Sequence, residues 1–273
     1  MLGPLRQRLG TISMMGWFAP VILALLVAYA ISEVRFIRQE MLARTLLPKA
    51  DRMERILTNI VDNATYQVGY IAKQIGHNGV DKEHIRTFLQ TFNDGVEQSK
   101  LEWGRFLWAD ANAQIVFSNT EIYKEPKDVS ERTYMAMVRK FPFKLYMDEA
   151  RIGIDNNEPI IPLAMGVTDQ RGQFLGAVLG CILLHEVEQR FNETIKDKPL
   201  GYILYDHEMR QVLAHVDSKF FTPEKLIEIR EWALREQENR QQNKMEVTPW
   251  RHHHALYHRM PKYLFSLVLI IPT

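Results

Sequence analysis

Ile160-Ile161-Pro162-Leu163-Ala164-Met165-Gly166-Val167-Thr168-Asp169-Gln170-Arg171-Gly172-Gln173-Phe174-Leu175-Gly176-Ala177-Val178 reads as two apolar runs around one polar turn. Ile160 to Thr168 and Phe174 to Leu184 have the length and branched-residue content of strands. Gln170-Arg171-Gly172 joins them, and Gly172 suits the positive φ that such a turn often needs. Two antiparallel strands are therefore expected here.

Upstream, Leu145 to Ile154 reads as a further strand, closed by the turn Asp155-Asn156-Asn157-Glu158-Pro159. Asp128 and Glu131 have capping-box spacing and predict a helix that runs to about Lys140. Arg105 to Ala109 and Gln114 to Ser118 are aromatic and β-branched runs around Asp110-Ala111-Asn112-Ala113, a hairpin pattern. Downstream, Tyr202 to Tyr205 and Gln211 to His215 flank a turn at Asp206 to Met209. Thr222-Pro223-Glu224 opens a helix, with Thr as N-cap and Pro in the first helical position. That helix fades into the polar Glu236-to-Lys244 stretch, and two strands follow, His252 to His258 and Leu264 to Ile271. Asp110, Asp169 and Asp206 each end an apolar strand and begin a short polar turn. This is a repeated turn type, which Asp favours on its own.

The N-terminal part has a different character. Leu9 to Ser32 holds no charged residue, and Met14 to Ile31 is almost wholly apolar. A helix of about 20 such residues spans a bilayer core, and Trp17 and Tyr29 fall near the two headgroup levels. A cleaved signal peptide would have a shorter core followed by small residues. Here Glu33-Val34-Arg35-Phe36 follows, so an uncleaved anchor is expected. Beyond it Met53, Ile56, Leu57, Ile60, Val61, Ala64, Val68, Ile71, Ala72 and Ile75 recur at helical spacing and form one apolar stripe. Pro48 is expected to kink or divide this helix, and Gly76 with His77-Asn78-Gly79 to end it. Asp81 then caps a short helix through Phe92. The stripe either packs on the chain's own sheets or pairs with a twin helix in a parallel homodimer; both readings stay open.

Composition narrows the function classes. The 273 residues are 46% hydrophobic and 25% charged, with a net charge of +1. That balance lacks the basic excess of a nucleic-acid-binding protein. The lone Cys181 excludes an intrachain disulfide, a four-cysteine zinc site and an iron–sulfur cluster, and its apolar neighbours suit a small buried hydrophobe. Gly166, Gly172, Gly176 and Gly180 straddle a hairpin, so they make no phosphate cradle. Neither Gly-x-Ser-x-Gly nor His-Glu-x-x-His occurs. No enzyme, cofactor or metal site is expected.

One anchor, a long amphipathic helix and two successive small α/β modules resemble the double Cache (PAS-like) sensor region of bacterial transmembrane receptors. Asp128-Val129-Ser130-Glu131-Arg132-Thr133-Tyr134-Met135 is similar to the family's D-x-S-[DE]-R-x-[YW] helix start, and the strand pair around Asp169 to its V-x-D-x-x-G-x-x-x-G pattern. The resemblance implies an α+β fold in five parts. Residues 1–13 form a cytoplasmic N-terminus, 14–32 the transmembrane helix, and 33–98 a stalk helix with a short helix. A membrane-distal Cache module covers 99–198 and a membrane-proximal one covers 199–273, both with antiparallel sheets. It further implies an extracytoplasmic sensor anchored in the bacterial inner membrane, which binds a small-molecule ligand for a kinase, cyclase or chemotaxis output. The flanking charges, Arg6 and Arg8 before the span and Arg35, Arg38, Arg44 and Lys49 after it, oppose that orientation. Long domains, however, translocate largely regardless of charge. The apolar run Leu267 to Ile271 is too short for a second span. The chain is then either part of a longer receptor or one that signals through another protein.

By the same resemblance Arg132 and Tyr134 reach into the ligand pocket, Asp169 receives an ammonium group, and Arg151 falls where amino-acid-binding members carry Tyr. Arg grips carboxylates bidentately. Arg at that position and Tyr134 in place of the family's usual Trp tilt the expected ligand from an amino acid toward a more anionic carboxylate. His252, His253, His254 and His258 cluster after Trp250; imidazole pairs bind Zn, Cu or Ni. No carboxylate or thiol is spaced along the sequence to complete such a site, so a polar strand edge is expected. The other function class that fits is an anchored scaffold whose modules bind a protein surface.

Overall fold

The computed structural model describes residues 5–78, 81, 83–90, 104–118, 122–154, 157–196, 201–217, 219, 221–239, 247–250 and 253–272. One helix, α1 (Leu5–Asn78), runs through both Pro20 and Pro48. Of the two expectations at Pro48, a kink or a division, the division is therefore corrected. Leu46, Ala50 and Met53 are wholly buried around it, and this packing holds the helix across the missing N–H. A short helix α2 (83–90) follows, and Asp81 Oδ2 accepts from His84 N at 3.1 Å. The expected end of that helix at Phe92 lies outside the described residues.

The first sheet is built from β1 (Gly104–Asp110), β2 (Gln114–Ser118), β3 (Ile122–Asp128), β4 (Tyr146–Met147), β5 (Arg151–Ile152), β6 (Pro159–Thr168) and β7 (Phe174–Leu183). Its order is β3-β2-β1-β7-β6-β4, with β5 also on β6, and every pairing is antiparallel. The helix α3 (Thr133–Lys140) lies between β3 and β4, and α4 (Leu184–Ile195) follows β7. The second sheet has β8 (Gly201–Tyr205), β9 (Gln211–His215), β10 (Val247–Trp250), β11 (His253–Met260) and β12 (Phe265–Pro272), in the antiparallel order β10-β11-β12-β8-β9. The helix α5 (Pro223–Asn239) connects β9 to β10.

Strand alternation assigns the faces. Phe106, Trp108, Ile161, Leu163, Val178 and Ile182 share one core with α1 and with Leu256, Leu267 and Leu269 of the second sheet. The opposite faces carry separate cores, with α3 on the first sheet and α5 on the second. The stripe from Met53 to Ile75 is consumed here: Met53, Val61, Ala64, Val68 and Ile71 are 0% exposed. Of the two readings left open, packing on the chain's own sheets is the one realised. Contacts order the sheets along α1. His258 of the second sheet lies 2.6 Å from Glu54, and Lys262 in the turn after its strand donates to Asp62 at 2.6 Å, whereas a Cβ on Gly180 of the first sheet would meet Val68 at 2.6 Å. The second sheet thus lies nearer the apolar end of α1. There Leu23, Leu25 and Leu26 are 59–65% exposed, with no protein packed on them.

The three aspartate turns are one structure. Oδ1 of Asp110 accepts from the amides of Asn112 and Gln114, Oδ1 of Asp169 from Arg171 and Gln173, and Oδ1 of Asp206 from Glu208 and Arg210. The third residue after each Asp has positive φ: Ala113 at 62°, Gly172 at 81° and Met209 at 58°. Elsewhere local expectation yields to context. Asp128 closes β3 and caps the amide of Ser130 at 2.8 Å. The helix instead starts at Thr133 with Arg132 as N-cap, and no side chain caps it. Leu145 to Ile154 is two short strands rather than one, because Asp148 N turns onto Pro162 O between them at 3.0 Å.

Candidate functional site

The face of the first sheet turned away from α1 holds a small, partly open cavity. Arg105 and Leu107 reach it from β1, Ile160 and Pro162 from β6, and Leu179, Cys181 and Leu183 from β7. Alternation puts these odd and even positions on one side of adjacent strands, and Arg105 stands directly opposite Cys181 in the ladder. The segment entering α3 adds Arg132 and Tyr134, and β5 with the residues after it adds Arg151, Ile152 and Ile154. Three guanidinium groups therefore meet one apolar-walled space.

Their partners differ. Arg151 donates to Asp148 Oδ2 at 2.9 Å, and this pair is largely withdrawn from water, with the side chains 23% and 7% exposed. The Arg132 guanidinium makes no hydrogen bond or ion pair with any described residue. Tyr134 is 6% exposed, and burial pushes its hydroxyl well above the ordinary phenol value, with Cys181 adding and the two arginines opposing. It is thus a neutral wall and hydrogen-bonding group. Among the described residues no carboxylate lines this cavity, so the arrangement favours an anion over an ammonium group.

Three of the four residues named from the sequence, Arg132, Tyr134 and Arg151, are brought together. Asp169 is not. It holds the β6–β7 turn, where both its Oδ1 contacts are backbone amides of its own loop. The turn lies seven strand positions beyond Pro162, about 23 Å at the strand rise. Asp169 instead borders a separate groove against α1, with Gly69, Lys73 and His77. The expected approach of Asp169 to Arg132 is corrected accordingly. Arg105 and Cys181 escaped the sequence reading. Period-two alternation could have put Arg105 with Leu107, but the pairing of β1 with β7 has no local signal.

A charged network leaves the cavity on its far side. Glu149, next to Asp148, contacts Arg210 Nη1 at 2.5 Å, and Arg210 also binds Asp206 at 2.7 Å and Glu208 at 3.1 Å. These contacts hold the Arg210 guanidinium firmly protonated. They tie the first sheet's β4–β5 segment to the second sheet's β8–β9 turn.

No family model and no curated protein matches the sequence. Solved structures do match by fold. An extracellular ligand binding receptor from Desulfohalobium retbaense superposes with a TM-score of 0.65 at 15% identity, covering 82% of this chain and 39% of that one. The ligand-binding domain of a Campylobacter jejuni chemoreceptor in complex with L-norvaline gives 0.61 at 10% identity, covering 85% and 91%. The sensor domain of a V. cholerae histidine kinase gives 0.59 at 13% identity, covering 86% and 99%. The fold is that of the extracellular sensor domains of histidine kinases and chemoreceptors. The chain spans about two fifths of the length of the first of these and nearly all of the other two.

Proposed function

We propose that the chain is a membrane-anchored extracytoplasmic sensor that binds a small carboxylate in the Arg105–Arg132–Arg151 cavity and is not itself an enzyme. The observation that carries this reading is an apolar-walled cavity where, among the described residues, the Arg132 guanidinium has no partner, two further arginines join it and no acid lines the wall. The alternative, an amino-acid ligand as in the norvaline-bound chemoreceptor domain, lacks a carboxylate among the described lining residues to receive the amine. On this reading 99–198 is the membrane-distal ligand module and 199–273 the proximal one. The exposed apolar end of α1 is the anchor, and Asn63 to Thr273 lie outside the inner membrane. A ligand that draws Arg151 from Asp148 pulls on Glu149 and hence on Arg210, a direct route to the second sheet.

Thermal-shift screening of the full chain in detergent tests the ligand class. Ligand at 100 times its dissociation constant adds about 2.7 kcal/mol, roughly 5–10 °C for a folded body of this size. Mono- and dicarboxylates should raise the melting temperature, and the matching amides and amines should not. A shift by amines alone would overturn the anionic assignment.

A further inference from the structure

We propose that Asp51, Glu54 and His258 form a binding site for a divalent first-row cation, with Zn2+ the best chemical match, which clamps α1 to the second sheet. Asp51 and Glu54 stand three residues apart on α1 and so share a face; His258 projects from β11. One ligand atom from each lies within 4.8 Å of the others. His258 Nε2 is already 2.6 Å from Glu54 Oε2, although the two residues are 204 positions apart. His258 is 3% exposed and the Glu54 side chain 28%, so the imidazole comes from the core and the carboxylates reach toward solvent.

The donor set matches the ion. Zn2+ takes imidazole nitrogen and carboxylate oxygen at about 2.0–2.2 Å in a four-coordinate shell, and one water on the exposed side completes three protein ligands. Mixed nitrogen and oxygen donors suit Zn2+ and disfavour soft Cu(I). Two carboxylates supply the negative charge that a dication needs. Among the described residues no Lys or Arg pairs with either, and the Asp51 carboxylate makes no hydrogen bond or ion pair. The carboxylates that no local spacing could offer to the histidine-rich strand are supplied across the core by α1. An ion here would fix α1, the element that carries the apolar span, against the second sheet.

The test uses the full chain in detergent, stripped with a chelator and titrated with ZnCl2 in competition with a chromophoric chelator. One Zn2+ per chain is expected. Asp51→Asn and Glu54→Gln, which keep side-chain shape, should each weaken binding about tenfold or more, since even outer-shell partners of a metal cost that much. A His252→Ala, His253→Ala, His254→Ala triple variant should still bind one equivalent. The proposal fails if the native chain binds no Zn2+, if the triple variant loses it, or if both acid variants bind as the native chain does. Carboxylate binding in the first-sheet cavity is read separately and is not required for any of these outcomes.

Discussion

Asp148→Asn should lower stability and raise affinity for an anion at the same time. The substitution keeps the shape of the side chain and removes the charge that Arg151 faces at 2.9 Å, in a pair whose side chains are 7% and 23% exposed. A hydrogen bond between charged groups contributes about 1.5–3 kcal/mol. Because the guanidinium still reaches some solvent, about 2 kcal/mol is the fitting loss, or roughly 4–8 °C in melting temperature for a body of this size. The cavity meanwhile loses the negative charge paired with Arg151. At about 7 Å and an effective dielectric of about 20, that charge repels a bound carboxylate by roughly 2 kcal/mol. Salt screening halves this to about 1 kcal/mol, or about fivefold in affinity. Scanning calorimetry and calorimetric titration of the same variant give both numbers. An unchanged melting temperature, or weaker carboxylate binding, would refute the argument that Asp148 competes with the ligand for Arg151.

Gly172→Ala isolates a backbone cost: an added Cβ meets nothing within 4 Å, yet φ is +81°, so about 1 kcal/mol should be lost, read as a lower denaturation midpoint at unchanged slope. The Asp62 carboxyl is held below its ordinary value of 3.8 by hydrogen bonds from Lys262 and Tyr263. Its contribution is therefore present above pH 3.8 and lost as the pH falls through its lower folded value; Asp62→Asn should flatten that part of the acid-denaturation curve, and an unchanged curve would contradict the contact.

The sequence exposed those features whose cause is local. The aspartate turns were legible because one side chain organises each loop, and the stripe on α1 because helical spacing alone marks it. Three elements went unassigned from the sequence, two of them for want of a local signal. Strand β3 carries Lys124, Glu125, Lys127 and Pro126, which an edge position tolerates but which give no strand signal. Helix α4 buries Leu184, Val187, Phe191 and Ile195 at helical spacing, a signal that was present and hidden behind the apolar end of β7. The short β10 needs β11 to exist at all. The cavity divides in the same way. Arg132, Tyr134 and Arg151 were legible by motif, whereas Arg105 and Cys181 join them only through the β1–β7 ladder. The motif also carried Asp169 into the site, but strand length sets it at the far end of the sheet.

Calorimetric titration of one carboxylate hit against the native chain, Arg132→Ala and Asp169→Asn tests the central claim most directly. The account predicts that Arg132→Ala weakens binding about tenfold or more, as loss of a charge-assisted bond of 1.5–3 kcal/mol requires, with a nearly unchanged ligand-free melting temperature. Asp169→Asn should bind as the native chain does. Loss of binding in Asp169→Asn with full affinity in Arg132→Ala would contradict it.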